Sequence, residues 1–151
     1  MRESIKFIYG HRLDGALKAA GNLRTPSEGW IRTARKALGM SGTQLAQRLG
    51  VSRGAVLAAE RAEPNGNVTI AKMQHMAAAM GCRFVYAVVP EKPVEEMIEQ
   101  RAKEKALKIA NKASGHMALE MQSLQDDRFQ FEVDNLKQDI LKKPSKLWSD
   151  D

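Results

Sequence analysis

The turn Leu49-Gly50-Val51-Ser52 constrains this chain more than any other feature, because it leaves room only for a tight corner between two short helices. Gly50 takes a positive φ without steric cost, and Ser52 is a good N-cap for the helix after the corner. Similar punctuation recurs on both sides of this turn. Ser27 is placed to cap a helix through Trp30, Ile31, Ala34 and Leu38, which Gly39 stops. A second helix begins near Gly42 or Thr43, turns Leu45, Ala46 and Leu49 inward, and ends at Gly50. A third runs from Arg53 to the neighbourhood of Arg61 with Val56 and Ala59 toward a core, and Pro64-Asn65-Gly66-Asn67 comes after it as a loop. Thr69 caps a fourth, whose inner stripe is Ile70, Met73, Met76, Ala77 and Met80, before Gly81. Apolar residues three or four apart, without β-branched alternation, predict helices throughout.

A chain of 151 residues suits one such domain and an appendage. Three segments are expected, with boundaries at 1–26, 27–90 and 91–151. Charge separates the last two. Residues 1–90 carry 13 Lys+Arg and 5 Asp+Glu, a balance of +8, whereas residues 91–151 carry 11 and 13, a balance of −2. Only the first part has the balance of a polyanion binder. With 28% charged residues and no apolar run near the roughly 20 residues that span a bilayer, membrane association is not expected. The start, MRESIKFIYGHRLDG, lacks the apolar core and small-residue cleavage site of a secretory leader, so a cytoplasmic location is expected.

A tight corner between short helices is the spacing of a helix-turn-helix, which seats its second helix in the DNA major groove while the first braces it against the backbone. The stretch from Gly39 to Glu60, with Leu45-Ala46, Leu49-Gly50-Val51-Ser52, Val56 and Glu60 in register, resembles the Xre family of helix-turn-helix regulators, relatives of the lambdoid phage repressors. The resemblance covers residues 29–81. It implies a mainly α fold in which an arginine of the first helix, here Arg35, pairs with a glutamate closing the recognition helix, here Glu60. Gly29-Trp30-Ile31-Arg32, followed after the helices by Cys82-Arg-Phe-Val-Tyr-Ala-Val-Val-Pro90, also resembles the mobile mystery protein A family. That resemblance implies an antitoxin and autorepressor encoded beside a Fic-domain toxin. The short inhibitory helix usual in Fic regulation, Ser or Thr, three residues, Glu, then Gly or Asn, is missing: only Glu28 precedes Gly or Asn, and Arg24 stands where the hydroxyl residue belongs.

The Xre motif places Ser52, Arg53 and Gly54 at the start of the recognition helix and Leu57 and Ala58 one turn later on its outer face. Arg53 is the strongest base reader, since a guanidinium bonds guanine O6 and N7 together. Gly54, Leu57 and Ala58 bring no side-chain hydrogen bonds, so readout leans on thymine methyls, DNA shape and the spacing of two copies. Thr43 and Gln44 open the preceding helix, where free N–H groups suit a phosphate. Arg32, Lys36, Arg48, Arg61 and Asn67 are candidate flanking contacts to double-stranded DNA.

Arg83 to Val89 has strand character, with Phe84, Tyr86 and Val88 on one face and Val85, Ala87 and Val89 on the other. Its partner is the N-terminal segment around Ile5 to Tyr9, the same strand of a second subunit, or both, and a homodimer is expected because paired half-sites lie about 34 Å apart. The N-terminal segment itself reads equally well as a helix toward Ala20. Beyond Pro90 and Pro93, Val94, Ile98, Ala102, Ala106, Ile109, Ala113, Met117, Met121 and Leu124 form a narrow stripe on a long helix that Gly115 loosens. Asp126-Asp127 caps a second helix bearing Phe129, Val133, Leu136 and Ile140, which Pro144 stops. The whole is a helix-turn-helix domain with one β-strand and a C-terminal helical hairpin. Met97, Ile98, Ile109, Met117, Met121, Phe129 and Leu136 are the candidate residues for gripping a partner protein such as a Fic toxin, methionines being adaptable at such surfaces.

Enzyme chemistry finds little footing. One cysteine and three scattered histidines, His11, His75 and His116, have no zinc spacing, and there is no glycine-rich phosphate loop. Cys82 is expected as a small buried residue, and Trp148 in a loose tail. No metal or cofactor is expected.

Overall fold

The computed structural model describes residues 2–114 and 125–150, which form α1 (Arg2–Ala20), α2 (Trp30–Ala37), α3 (Gly42–Leu49), α4 (Arg53–Ala62), α5 (Ile70–Ala79), α6 (Val94–Ser114), α7 (Gln125–Lys142) and α8 (Pro144–Leu147). The chain divides into two compact units, Asn22–Ala87 and Met1–Gly21 with Val88–Asp151.

In the first unit α2 to α5 enclose Ile31, Leu45, Ala46, Val56, Ala59, Met73, Met76, Ala77 and Met80, with Trp30, Leu49 and Phe84 packed around them. Helices this short are marginal alone, and caps secure their ends. Ser52 accepts the N–H of Ala55 and Thr69 that of Lys72, as their positions predict. Ser41 and Gln44 form a reciprocal capping box on α3. Ser27 does not cap α2. That helix starts after Gly29, whose φ is 86°, and its first N–H groups are met by Glu63 from across the unit. The expected loop at Pro64 is a 3-10 turn, Glu63–Asn65, continuing directly from α4.

In the second unit α7 returns along α6, burying Ala102, Ala106, Ala110, Val133, Ile140 and Leu147. The buried stripe therefore passes through Ala110, while Ile109 and Ala113 lie outside. Three alanines one turn apart let α7 approach closely. α1 lies against the start of α6: Gly10 faces Val94, and Asp14 accepts the Val94 N–H at 2.9 Å, capping α6 from a neighbouring helix. The N-terminal segment is thus helix, and pairing it with a strand is excluded. Asp126 and Asp127 do not cap α7, which is already under way at Gln125. Pro144 stops α7 and opens α8, where its missing N–H costs nothing. Lys105 is buried and donates to the carbonyls of Lys146 and Ser149 and to the Ser149 hydroxyl. Arg101 donates to Leu147 O at 3.1 Å and lies over the Trp148 ring, so the expected loose tail is fastened to α6. Gly115, Met117, Met121 and Leu124 fall outside the described residues.

Two expectations are corrected here. Among the described residues there is no β-strand: Arg83 to Val89 lies outside the helices and makes no ladder hydrogen bonds with any other described segment, and a strand needs a partner. Cys82 is exposed rather than buried, since it follows the turn at Gly81 and lies outside the α2–α5 core.

Candidate nucleic-acid interface

The corner between α3 and α4 is built by its backbone. Gly50 is left-handed, with φ 68° and ψ 31°, its N–H on Gln47 O and the Val51 N–H on Ala46 O. A Cβ there has open space around it, so the glycine is required by φ and not by crowding. Ser52 then starts α4 at once. At the other end of the pair, Arg53 and Leu57 of α4 lie over Gly42 at the start of α3, where a Cβ would meet them at ordinary contact distances of 3.5 and 3.9 Å.

Two interactions tie α4 to α2, and a third ties α3 to α5. Arg35 of α2 donates from Nε to Glu60 Oε1 at 2.5 Å and from Nη2 to Oε2 at 3.0 Å, a bidentate pair, while Nη1 reaches Met40 O at 3.0 Å. Both partners are largely shielded, at 11% and 3% side-chain exposure. The hydrogen bond to Glu60 raises the Arg35 pKa above its ordinary value against the opposing effect of burial. Glu63, just past α4, accepts the N–H groups of Trp30 and Ile31 at 2.5 and 2.9 Å. One end of α4 is therefore tied to the start of α2, where a carboxylate also suits the helix dipole. Arg48 of α3 donates to Ala79 O at 2.6 Å, closing the end of α5.

Arg53, Gly54 and Ala58 are exposed together, with Leu57 half-buried beside them. Thr43, Gln44, Arg48, Arg61, Lys36 and Asn67 are exposed as well, and Arg32 is half-buried. Ser41 Oγ takes only the Gln44 N–H, so the N–H groups of Gly42 and Thr43 find no acceptor among the described residues. The same holds for Arg53 and Gly54 behind Ser52. Two helix starts with unmet donors near a guanidinium form an anion-seeking surface. Not every expected flanking cation is unengaged: Glu28 stands 3.8 Å from Arg32 Nε and 3.3 Å from Lys36 Nζ, and Arg48 has the structural bond above. Sequence reading missed Glu63, which has no local signature. It also missed the Ser41 cap, although Ser41-Gly-Thr-Gln44 is the spacing of a capping box.

On the second unit, Ile98, Phe129 and Leu136 pack into the hairpin core, whereas Met97 and Ile109 are exposed. Arg101, Lys105, Lys108, Lys112, Lys142, Lys143 and Lys146 gather around two adjoining clefts of about 250 and 590 Å³. They are seven of the 11 basic residues in 91–151, so the net-acidic segment nonetheless has a basic side. Among the described residues no group of three His, Cys, Asp or Glu side chains is placed to hold a metal, and no helix is long and apolar enough to cross a membrane.

A corner held by a left-handed glycine, a recognition helix tied bidentately to its support and an outer face with unmet N–H donors define a DNA-binding helix-turn-helix domain. Residues 31–86 match the helix-turn-helix family model, so this chain carries an Xre-type domain of the class found in transcriptional regulators. The match covers less than half of the chain. No curated protein and no solved structure matches it.

Proposed function

We propose that this protein is a sequence-specific repressor acting on its own promoter as a homodimer, and not an enzyme. The observation that carries the reading is the exposed group Arg53, Gly54 and Ala58 on a helix held by Arg35–Glu60. Arg53 reads a guanine edge, the N–H groups at the starts of α3 and α4 take phosphates, and Ser52, Thr43, Gln44, Lys36, Arg61 and Asn67 flank them. Arg32 contributes less, being matched by Glu28. Leu57 contacts thymine methyls and fixes the spacing between α3 and α4. A cytoplasmic location accords with this role. Fluorescence anisotropy on promoter and scrambled DNA at two salt concentrations tests it. A preference of about 10³-fold or more is expected; equal, salt-labile binding to both would overturn it.

The resemblance to the mobile mystery protein A family adds a second role, as antitoxin to a Fic-domain toxin. Exposed Met97, and exposed Ile109 in the lining of both basic clefts, favour capture of a partner protein at the hairpin. Met117 and Met121 belong to the same proposal. Without the glutamate helix of Fic regulation, masking or recruitment to DNA is the mode of action. Co-expression with an adjacent Fic gene product tests this: the two should co-purify, and their failure to do so leaves a stand-alone regulator.

A further inference from the structure

Arg83 to Val89 is a long unsatisfied stretch of the described chain. Its residues favour a pleated, half-buried surface, yet Val85, Tyr86 and Val88 are 70%, 61% and 78% exposed. None of its backbone N–H or C=O groups is hydrogen-bonded to a described residue. Such an edge is a template for another strand. The N-terminal segment cannot supply it, since residues 2–20 are α1. Phe84 packs on the α2–α5 core with its ring stacked 6.2 Å from that of Tyr86, and Val89 at the far end is half-buried, while the four residues between them are exposed.

We infer that the occupant is the same segment of a second copy, paired antiparallel about a two-fold axis through Tyr86. Pro90 lacks a ladder N–H and Gly81 is left-handed, which bounds the strand. Within those bounds the register with the greatest overlap sets Tyr86 opposite Tyr86, Phe84 opposite the partner's Val88 and Val85 opposite the partner's Ala87. Aromatic and β-branched residues then meet on one face and small apolar residues on the other. Charge selects the direction. A parallel, in-register pair would set Arg83 beside its twin; the antiparallel pair separates the two arginines to opposite ends. A closed two-fold pair also uses the one edge on both copies and leaves no open end for further growth.

The inference deepens the homodimer of the repressor reading and rests on it for its biological use, but its test stands apart. Sedimentation at micromolar concentration should give the mass of two chains, and Val85→Asn with Val88→Asn should give one, with unchanged helical circular dichroism because both positions are exposed. In a Cys82→Ser background, Tyr86→Cys should cross-link to its twin on oxidation, while Val85→Cys and Val88→Cys, each diagonal or farther from its twin, should not. Promoter affinity of the Asn variant should fall by roughly 10²-fold or more, as two linked half-site contacts become one. A monomeric native chain, or a dimer that survives the Asn substitutions, overturns the pairing; cross-linking at all three positions overturns its direction. A strand-paired dimer without promoter preference leaves this inference standing and removes the repressor reading, and a monomer with promoter preference does the reverse.

Discussion

Arg53 and Arg35 are both arginines on the same small domain, and their surroundings give them opposite tasks. Arg53 is exposed beside Gly54, whose missing side chain leaves the helix start open to a base pair. Arg53→Ala is expected to relax discrimination by about 1–3 kcal/mol at one base position, with little change in stability; binding to a set of single-base operator variants measures it. Arg35 is enclosed and answers Glu60. Arg35→Met would leave a buried carboxylate alone and should cost about 3–5 kcal/mol, whereas Arg35→Met with Glu60→Leu should recover most of that; denaturant midpoints decide. Because the Arg35 pKa is raised, its contribution is complete below arginine's ordinary pKa and is lost only above the raised one. Titration of Arg35 therefore adds no pH trend to stability anywhere below arginine's ordinary pKa. Arg48 joins both tasks: its bond to Ala79 O means Arg48→Ala should weaken all DNA alike and also loosen α5.

At the scale of elements, the ends of helices decide more than their middles. The local caps at Ser52 and Thr69 were legible, because a short polar side chain reaches only its own helix, although Ser27 does not cap α2 and the Ser41 box was missed. The caps on α2 and α6 were not legible, since Glu63 and Asp14 arrive from helices distant in sequence. Glu63→Ala should cost about 1–2 kcal/mol through two lost N–H bonds. Gly29→Ala should have a similar effect, as its Cβ would stand 2.8 Å from the Glu63 carboxyl carbon at a φ that side chains avoid; thermal melts of both check it. The apolar period places the stripe of α6 one residue off beyond Ala106, because Ile109 and Ala110 both satisfy a helical stripe and only contact with α7 chooses the smaller. Lys105→Met should free α8, raising amide exchange at residues 144–149 while the α6–α7 core stays protected.

For the molecule as a whole, each of the two units has its own buried cluster. A fragment of residues 22–81 is therefore expected to fold and to bind DNA weakly and with strong salt dependence. Lacking Arg83 to Val89 and the hairpin, it should lose promoter preference relative to the full chain by roughly tenfold or more; anisotropy on both DNAs shows which unit carries affinity and which carries pairing. The gathering of seven cations around the hairpin clefts belongs to this scale too. Counting charges along 91–151 gives an acidic segment, because summation discards the side on which each charge sits.

By itself the sequence determined what depends on neighbours along the chain: helices from apolar period, the left-handed turn at Gly50, local caps, and the Arg35–Glu60 pair through its motif. Such features are set by torsion preferences and by side chains acting within a turn or two. Tertiary structure alone decided that Ile5 to Tyr9 is helix, that Arg83 to Val89 is left unpaired, that Cys82 faces solvent and that Glu63 caps α2. A strand needs a partner that lies elsewhere, and burial and long-range caps need a surface that exists only once the chain has closed on itself. Local pattern states a preference for these, and only packing grants or withholds the means to satisfy it.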